Sequence, residues 1–162
     1  MTESAPAKAH ALAAPLWLSG DLPDVNVWLA LAVQEHPHHA AARAYWDEVQ
    51  ASSTPLWFCR VTMLGLVRLL CQPKVVGPGA LTLPAAWQVY QSFSAVPGVA
   101  LTGDTPELER HLHAFISTAT LPPRLWTDAY LAALAHCAGL RMVTFDADFQ
   151  RFALTRCRLL RT

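Results

Sequence analysis

The sequence predicts an α/β domain on a mainly parallel central sheet, with helices covering both faces. Three observations carry that prediction. Short apolar runs rich in β-branched and aromatic residues alternate with longer runs at helical spacing, the pattern of βαβ units. The 162 residues suit one domain with one sizeable core. No internal repeat or linker interrupts the alternation.

Taken in order, residues 1–15 (MTESAPAKAHALAAP) hold Glu3 and several prolines, and their apolar run is too short for a signal peptide. They read as a flexible extension, and residues 16–162 as the domain. Leu16 to Asp24 reads as an extended opening, with Pro23 at a strand end because it has no N–H to donate. Val25 to Val33 continues as an apolar helix. His36 to Gln50 is a loop followed by an alanine-rich helix, with Ala41, Ala44, Tyr45 and Val49 near one face. Leu56 to Thr62 reads as a strand, and Met63 to Gln72 as a helix stopped by Pro73. Val76 to Gly79 is a loop, and Leu83 to Phe93 a helix with proline in its first turn. Val96 to Gly103 holds a loop and a short strand. Thr105 to Thr118 opens with a helix-start signature. The helix after it has Thr127 as its expected N-cap and Gly139 as its stop. Leu140 to Phe145 is a buried-type strand, and the terminal CRLLR a last one.

Composition excludes several classes. With 53% hydrophobic and 15% charged residues the chain is not of the disordered type. Twelve basic and twelve acidic residues cancel, so net charge does not mark a nucleic-acid binder, although a local basic patch is compatible with it. The longest uncharged stretch, Val75 to Gly103, is broken by Pro78, Pro84 and Pro97 and does not read as a membrane span. Cys59, Cys71, Cys137 and Cys157 form no CxxC pair and read as free, mostly buried thiols in a reducing cytoplasm.

The functional signal lies in the acids. Asp24 and Asp146 fall at predicted strand ends and Asp128 at a helix start. In open α/β sheets, sites form outside the carboxyl ends of strands. Aspartate at such places has a plain explanation in helix capping. The other explanation is a carboxylate cluster, which repels itself unless a cation neutralises it. A hard ion such as Mg²⁺ takes oxygen ligands, often one or two carboxylates with water completing the set. Such a site suits hydrolysis of a phosphodiester.

The segments PDVNVWLALAVQEHPHHAAARAYW, GLVRLL and WTDAYLAALAHCAGLRMVTFDADF resemble the PIN-domain ribonuclease toxins of type II toxin–antitoxin systems, the VapC family. The resemblance runs from about Leu22 to the C-terminus. It implies a three-layer α/β/α PIN domain and a Mg²⁺-dependent endoribonuclease, with Mn²⁺ as a substitute ion. It further implies an RNA substrate, a cognate antitoxin and a homodimer, in the cytoplasm and away from membranes. Asp24, Asp128 and Asp146 match the metal acids, and Asp148 is the close partner of Asp146 in the catalytic set. Asn26, Thr144 and Arg68 are supporting candidates. One position departs from the family. Many PIN domains carry a glutamate where this chain has Gly65, so Asp104 or Glu107 is a candidate replacement. A degenerate PIN domain that binds RNA or a partner without cutting is the alternative reading. A phosphatase would carry its motif near the start of the domain, followed by a small polar residue, and a DxD glycosyltransferase would need a longer chain for its donor and acceptor sites.

Other features read more plainly. His36, His38 and His39 form a solvated helix entrance open to RNA, and His111 and His113 have no assigned role. Most of the six tryptophans read as core or dimer face. Arg151, Arg156, Arg158 and Arg161 are candidates for phosphate contact or for pairing with an acidic partner.

Overall fold

A computed structural model describes residues 19–118, 121–152 and 156–161. The expected N-terminal extension and Trp17 lie outside the described residues. The chain forms β1 (Asp21–Pro23), α1 (Val25–Ala32), α2 (His39–Ala51), β2 (Leu56–Phe58), α3 (Arg60–Leu70), α4 (Pro73–Val76) and α5 (Leu83–Ser94). It continues through β3 (Val99–Leu101), α6 (Leu108–Thr118), α7 (Trp126–Ala138), β4 (Arg141–Thr144) and β5 (Cys157–Leu159). The strands make one parallel sheet in the order β3-β2-β1-β4-β5. The predicted α/β class and parallel sheet are what the structure shows.

Alternation along the strands builds two cores. Leu56, Phe58 and Val143 face α1, α2, α3 and α5, whereas Leu22 and Met142 face α6 and α7. Trp28 stacks on Phe58, with ring centres 3.9 Å apart, and meets Trp46 and Phe93 edge-on. On the other face, Ala129, Ala132, Ala133, Ala135 and Ala138 are fully buried. Small residues along this face bring α7 close to the sheet.

Several boundaries differ from expectation, each for a local reason. Helix α3 begins at Arg60 instead of Met63. The Cys59 N–H donates to Thr62 Oγ1 (3.0 Å), and the Thr62 hydroxyl donates to Cys59 O (3.1 Å). This reciprocal cap overrides the β-propensity of Val61 and Thr62. Pro73 ends α3 and also opens α4, where its missing N–H costs nothing. Helix α6 starts at Leu108, three residues after Thr105. Thr127 is not a cap. Leu125 holds that position, without a side-chain bond, and Thr127 lies in the first turn of α7. Gly139 does end α7, at φ 71°, the left-handed region that favours glycine.

An unanticipated charged network sits at the start of β1. Asp21 is buried and lies opposite Arg141 in the β1–β4 register. Arg141 donates to both its oxygens at 2.8 Å, and the Tyr45 hydroxyl adds a third bond at 2.8 Å. The Arg158 guanidinium lies 5.3 Å from the centre of the Tyr45 ring and forks onto both Glu48 oxygens. The network ties β1, β4 and β5 to α2.

Candidate active site

The opposite end of the same strand carries the acids. Asp24 follows β1 directly and caps α1. Its Oδ1 accepts the Val25 N–H at 2.6 Å, and its Oδ2 accepts the Thr144 hydroxyl at 3.1 Å. Thr144, the last residue of β4, is wholly buried. Its oxygen also accepts the Asp146 N–H (3.0 Å) and an Asn26 side-chain N–H (3.2 Å). Asn26 Oδ1 in turn accepts the Phe145 N–H at 3.4 Å. One hydroxyl thus fixes the first residue after β1 and the turn after β4 relative to each other.

Asp146 caps the 3-10 turn Ala147–Arg151, accepting the Asp148 N–H at 2.8 Å. Capping and clustering therefore coexist at Asp24 and Asp146, since one carboxylate has lone pairs for both. Asp128 enters from the first turn of α7.

Electrostatics show that these acids feel one another. Burial pushes the Asp24 carboxyl up to about 7, against the pull of its bonds from Val25 and Thr144, and Asp128 and Asp146 push it further. Asp128 also lies above the usual carboxylate range, through burial first and then through Asp146 and Asp148, with Arg124 opposing. Asp24 is 6% exposed, and no cationic side chain among the described residues pairs with it. A buried carboxylate without a counter-charge is costly. The donor set of crowded oxygen ligands fits a hard divalent cation. Among the described residues, however, no three acids, histidines or cysteines converge into a ready-made cage, so water would complete any coordination.

Asp148 differs from the other acids. Arg124 Nη1 holds its Oδ2 at 2.7 Å, and Arg151 Nε holds its Oδ1 at 2.8 Å. The two guanidiniums hold its carboxyl below the usual range. Nothing in the sequence around Arg124 links it to Asp148. Arg151 belongs by sequence with Arg156, Arg158 and Arg161, the candidates for phosphate contact or for an acidic partner. The structure disperses that group, with Arg158 on Glu48 and Arg156 on the Gly139 carbonyl.

Other candidates fall elsewhere. Arg68 lines an apolar groove between α3 and α5, with Met63, Leu64, Val67, Cys71, Leu83 and Trp87. No ion pair joins it to a carboxylate among the described residues. Asp104 accepts the Tyr130 hydroxyl at 2.6 Å. Tyr130 stands two residues past Asp128, roughly 200° around α7, so Asp104 does not replace the missing acid beside Asp128. Glu107 bears on His111 and Cys137 instead. At Gly65 a Cβ would meet Val25 Cγ2 at 3.0 Å. The position is a close contact between α3 and α1, and a longer side chain there would run into Val25. The first turn of α3 carries no acid.

The histidine loop reaches the same edge. His38 stacks on Phe145, centres 4.5 Å apart, and its N–H donates to His36 Nδ1. Of the tryptophans, Trp28 is core, while Trp87 and Trp126 are exposed.

The PIN-domain family model matches residues 22–154. The chain belongs to the PIN-domain family. Within that family its relatives are VapC ribonucleases. Ribonuclease VapC41 of Mycobacterium tuberculosis is 39% identical over 141 residues, covering 85% of this chain and 96% of the relative. Ribonuclease VapC38 of the same species is 37% identical over 134 residues, covering 82% and 89%. Among solved structures, the VapBC2 complex of Rickettsia felis bound to promoter DNA aligns at TM-score 0.65 with 8% identity, over 86% of this chain and 98% of that one. Mycobacterium tuberculosis VapC20, described as a sarcin–ricin loop cleaving toxin, aligns at 0.58 with 18% identity, over 84% and 97%. These structures share the PIN fold with this chain.

The polar web of this PIN domain makes a prediction. Thr144→Val keeps the side-chain shape and removes the hydroxyl from Asp24, Asn26 and Asp146. The expected loss is about 1–3 kcal/mol of stability. Denaturant melts of the variant check it.

Proposed function

We propose that this protein is a metal-dependent endoribonuclease toxin of a toxin–antitoxin module. The observation that carries the reading is Asp24, a buried carboxylate without a paired cation among the described residues, whose ionisation Asp128 and Asp146 both oppose. Asp24 and Asp128 would hold Mg²⁺, with Mn²⁺ as a substitute, and Asp146 would complete the set. When bound, the ion supplies Lewis-acid activation of water and neutralises charge on the phosphodiester. The chain's own residues do the rest. Asp24 is held in one orientation by Val25 and Thr144. Thr144 and Asn26 fix the Asp146 turn at its distance from β1.

Membership of the VapC ribonucleases supports RNA as substrate, and the VapBC complexes support an antitoxin as partner. The groove between α3 and α5, with Leu64, Leu83 and Trp87 exposed, offers apolar surface for a protein partner, either an antitoxin segment or a second copy. No helix among the described residues is long and apolar enough to cross a membrane, in keeping with the proposed cytoplasmic site of action. The rival reading, an RNA-binding PIN domain that does not cut, rests on Gly65, which stands in α3 where many PIN domains carry a glutamate.

The deciding experiment incubates the purified chain, free of antitoxin, with a broad RNA panel and Mg²⁺ or Mn²⁺. Cleavage that EDTA stops, and that folded Asp128→Asn protein lacks, is the expected result. RNA bound but intact under the same conditions decides for the rival.

A further inference from the structure

We infer that Asp148 is a positioning residue, not a metal ligand, and that it holds Arg124 and Arg151 at the acid pocket as a clamp for an RNA phosphate. This rests on the ribonuclease reading above and adds to it the means of gripping the backbone.

The geometry separates Asp148 from its neighbours. Both of its oxygens are already engaged by guanidiniums, at 2.7 and 2.8 Å. The arginines come from different segments, one from the turn before α7 and one from the turn after β4. A carboxylate between two guanidiniums leaves the group with one net positive charge. It lies beside Asp146, whose Oδ1 accepts the Asp148 N–H at 2.8 Å.

An ordinary surface ion pair would be of little consequence, but exposure argues for more here. The Asp148 side chain is 22% exposed, against 62% for Arg124 and 56% for Arg151. The anchor is partly covered while the cations face outward. Each guanidinium has five N–H donors in a planar fork and gives one to Asp148. The remaining donors match phosphate oxygens bidentately. The chain also needs such a device. Its net charge is zero, its acid pocket repels RNA, and Arg156 and Arg158 are engaged elsewhere.

The test uses two readouts that activity alone does not supply. The first is binding of a short single-stranded RNA to Asp24→Asn protein over a range of salt. Adding Arg124→Gln is expected to make the slope of log affinity against log salt shallower by about 0.7, the value for one phosphate contact on a single strand. Arg151→Gln is expected to act similarly. The second readout is Mn²⁺ affinity of the otherwise unaltered protein, measured by electron paramagnetic resonance. Asp148→Asn should leave it unchanged while lowering RNA affinity, whereas Asp128→Asn should weaken it. An unchanged salt slope in both arginine variants overturns the clamp. Mn²⁺ binding weakened by Asp148→Asn as much as by Asp128→Asn overturns the positioning role. Absence of RNA binding before either arginine is altered would instead remove the ribonuclease reading itself.

Discussion

Asp24→Asn is expected to lower RNA cleavage roughly 10³-fold or more and, at the same time, to stabilise the metal-free protein. The two effects share one cause. Burial lifts the Asp24 carboxyl from 3.8 to about 7, so the folded metal-free protein resists its ionisation. Between about pH 4 and 7 the unfolded chain has lost that proton while the folded one keeps it. The folded state then binds more protons, so the Asp24 contribution to stability falls as pH rises through the window. Asparagine removes the term and remains as good an N-cap for α1 as aspartate. The expected gain near neutral pH is a few kcal/mol, about 4 at most, from a displaced proton equilibrium worth about 1.4 kcal/mol per pH unit. Thermal melts with EDTA from pH 4 to 8 check it, since the gap between variant and wild type should widen upward through the window. A constant gap would mean that Asp24 is not the group responsible. Metal affinity should run the other way and climb with pH, because the ion displaces the proton.

Arg141→Met is expected to be the most damaging change away from the acids. It strips both guanidinium bonds from Asp21, whose side chain is 2% exposed. Breaking one partner of a buried pair costs about 3–5 kcal/mol, because the other charge is left uncompensated. For a chain of this size that lowers the melting temperature by roughly 10 °C. Asp21→Asn in the same molecule removes the stranded charge and should recover much of the loss, with Tyr45 still bonded to the amide oxygen. Calorimetry on the two single variants and the double measures the coupling. Additive losses would show that Arg141 acts through packing of its stem and not through the pair.

Much of this was legible in the sequence, and the residues show why. Alternation of short and long apolar runs exposed the sheet and its helices, because period and length are local properties. Asp24, Asp128 and Asp146 were legible because each stands beside a predicted element boundary. Thr144 was legible because it lies two residues from Asp146. The Asp21–Arg141 pair was not, since it depends on which strands are neighbours, and β1 and β4 lie far apart in the chain. Arg124 escaped for the same reason, as nothing local joins it to Asp148. The Thr127 cap failed because Pro123 starts a tight turn that runs straight into α7 and leaves no capping residue to choose.

β1 is three residues long, yet it separates two aspartates with opposite fates. Asp21 at its start owns a counter-charge built into the chain. Asp24 just past its end has none among the described residues. On the proposed reading, folding and catalysis therefore draw on separate ion supplies. A chelator would disarm the molecule without unfolding it. Scarce magnesium would leave an intact but idle protein, ready to resume work when the ion returns.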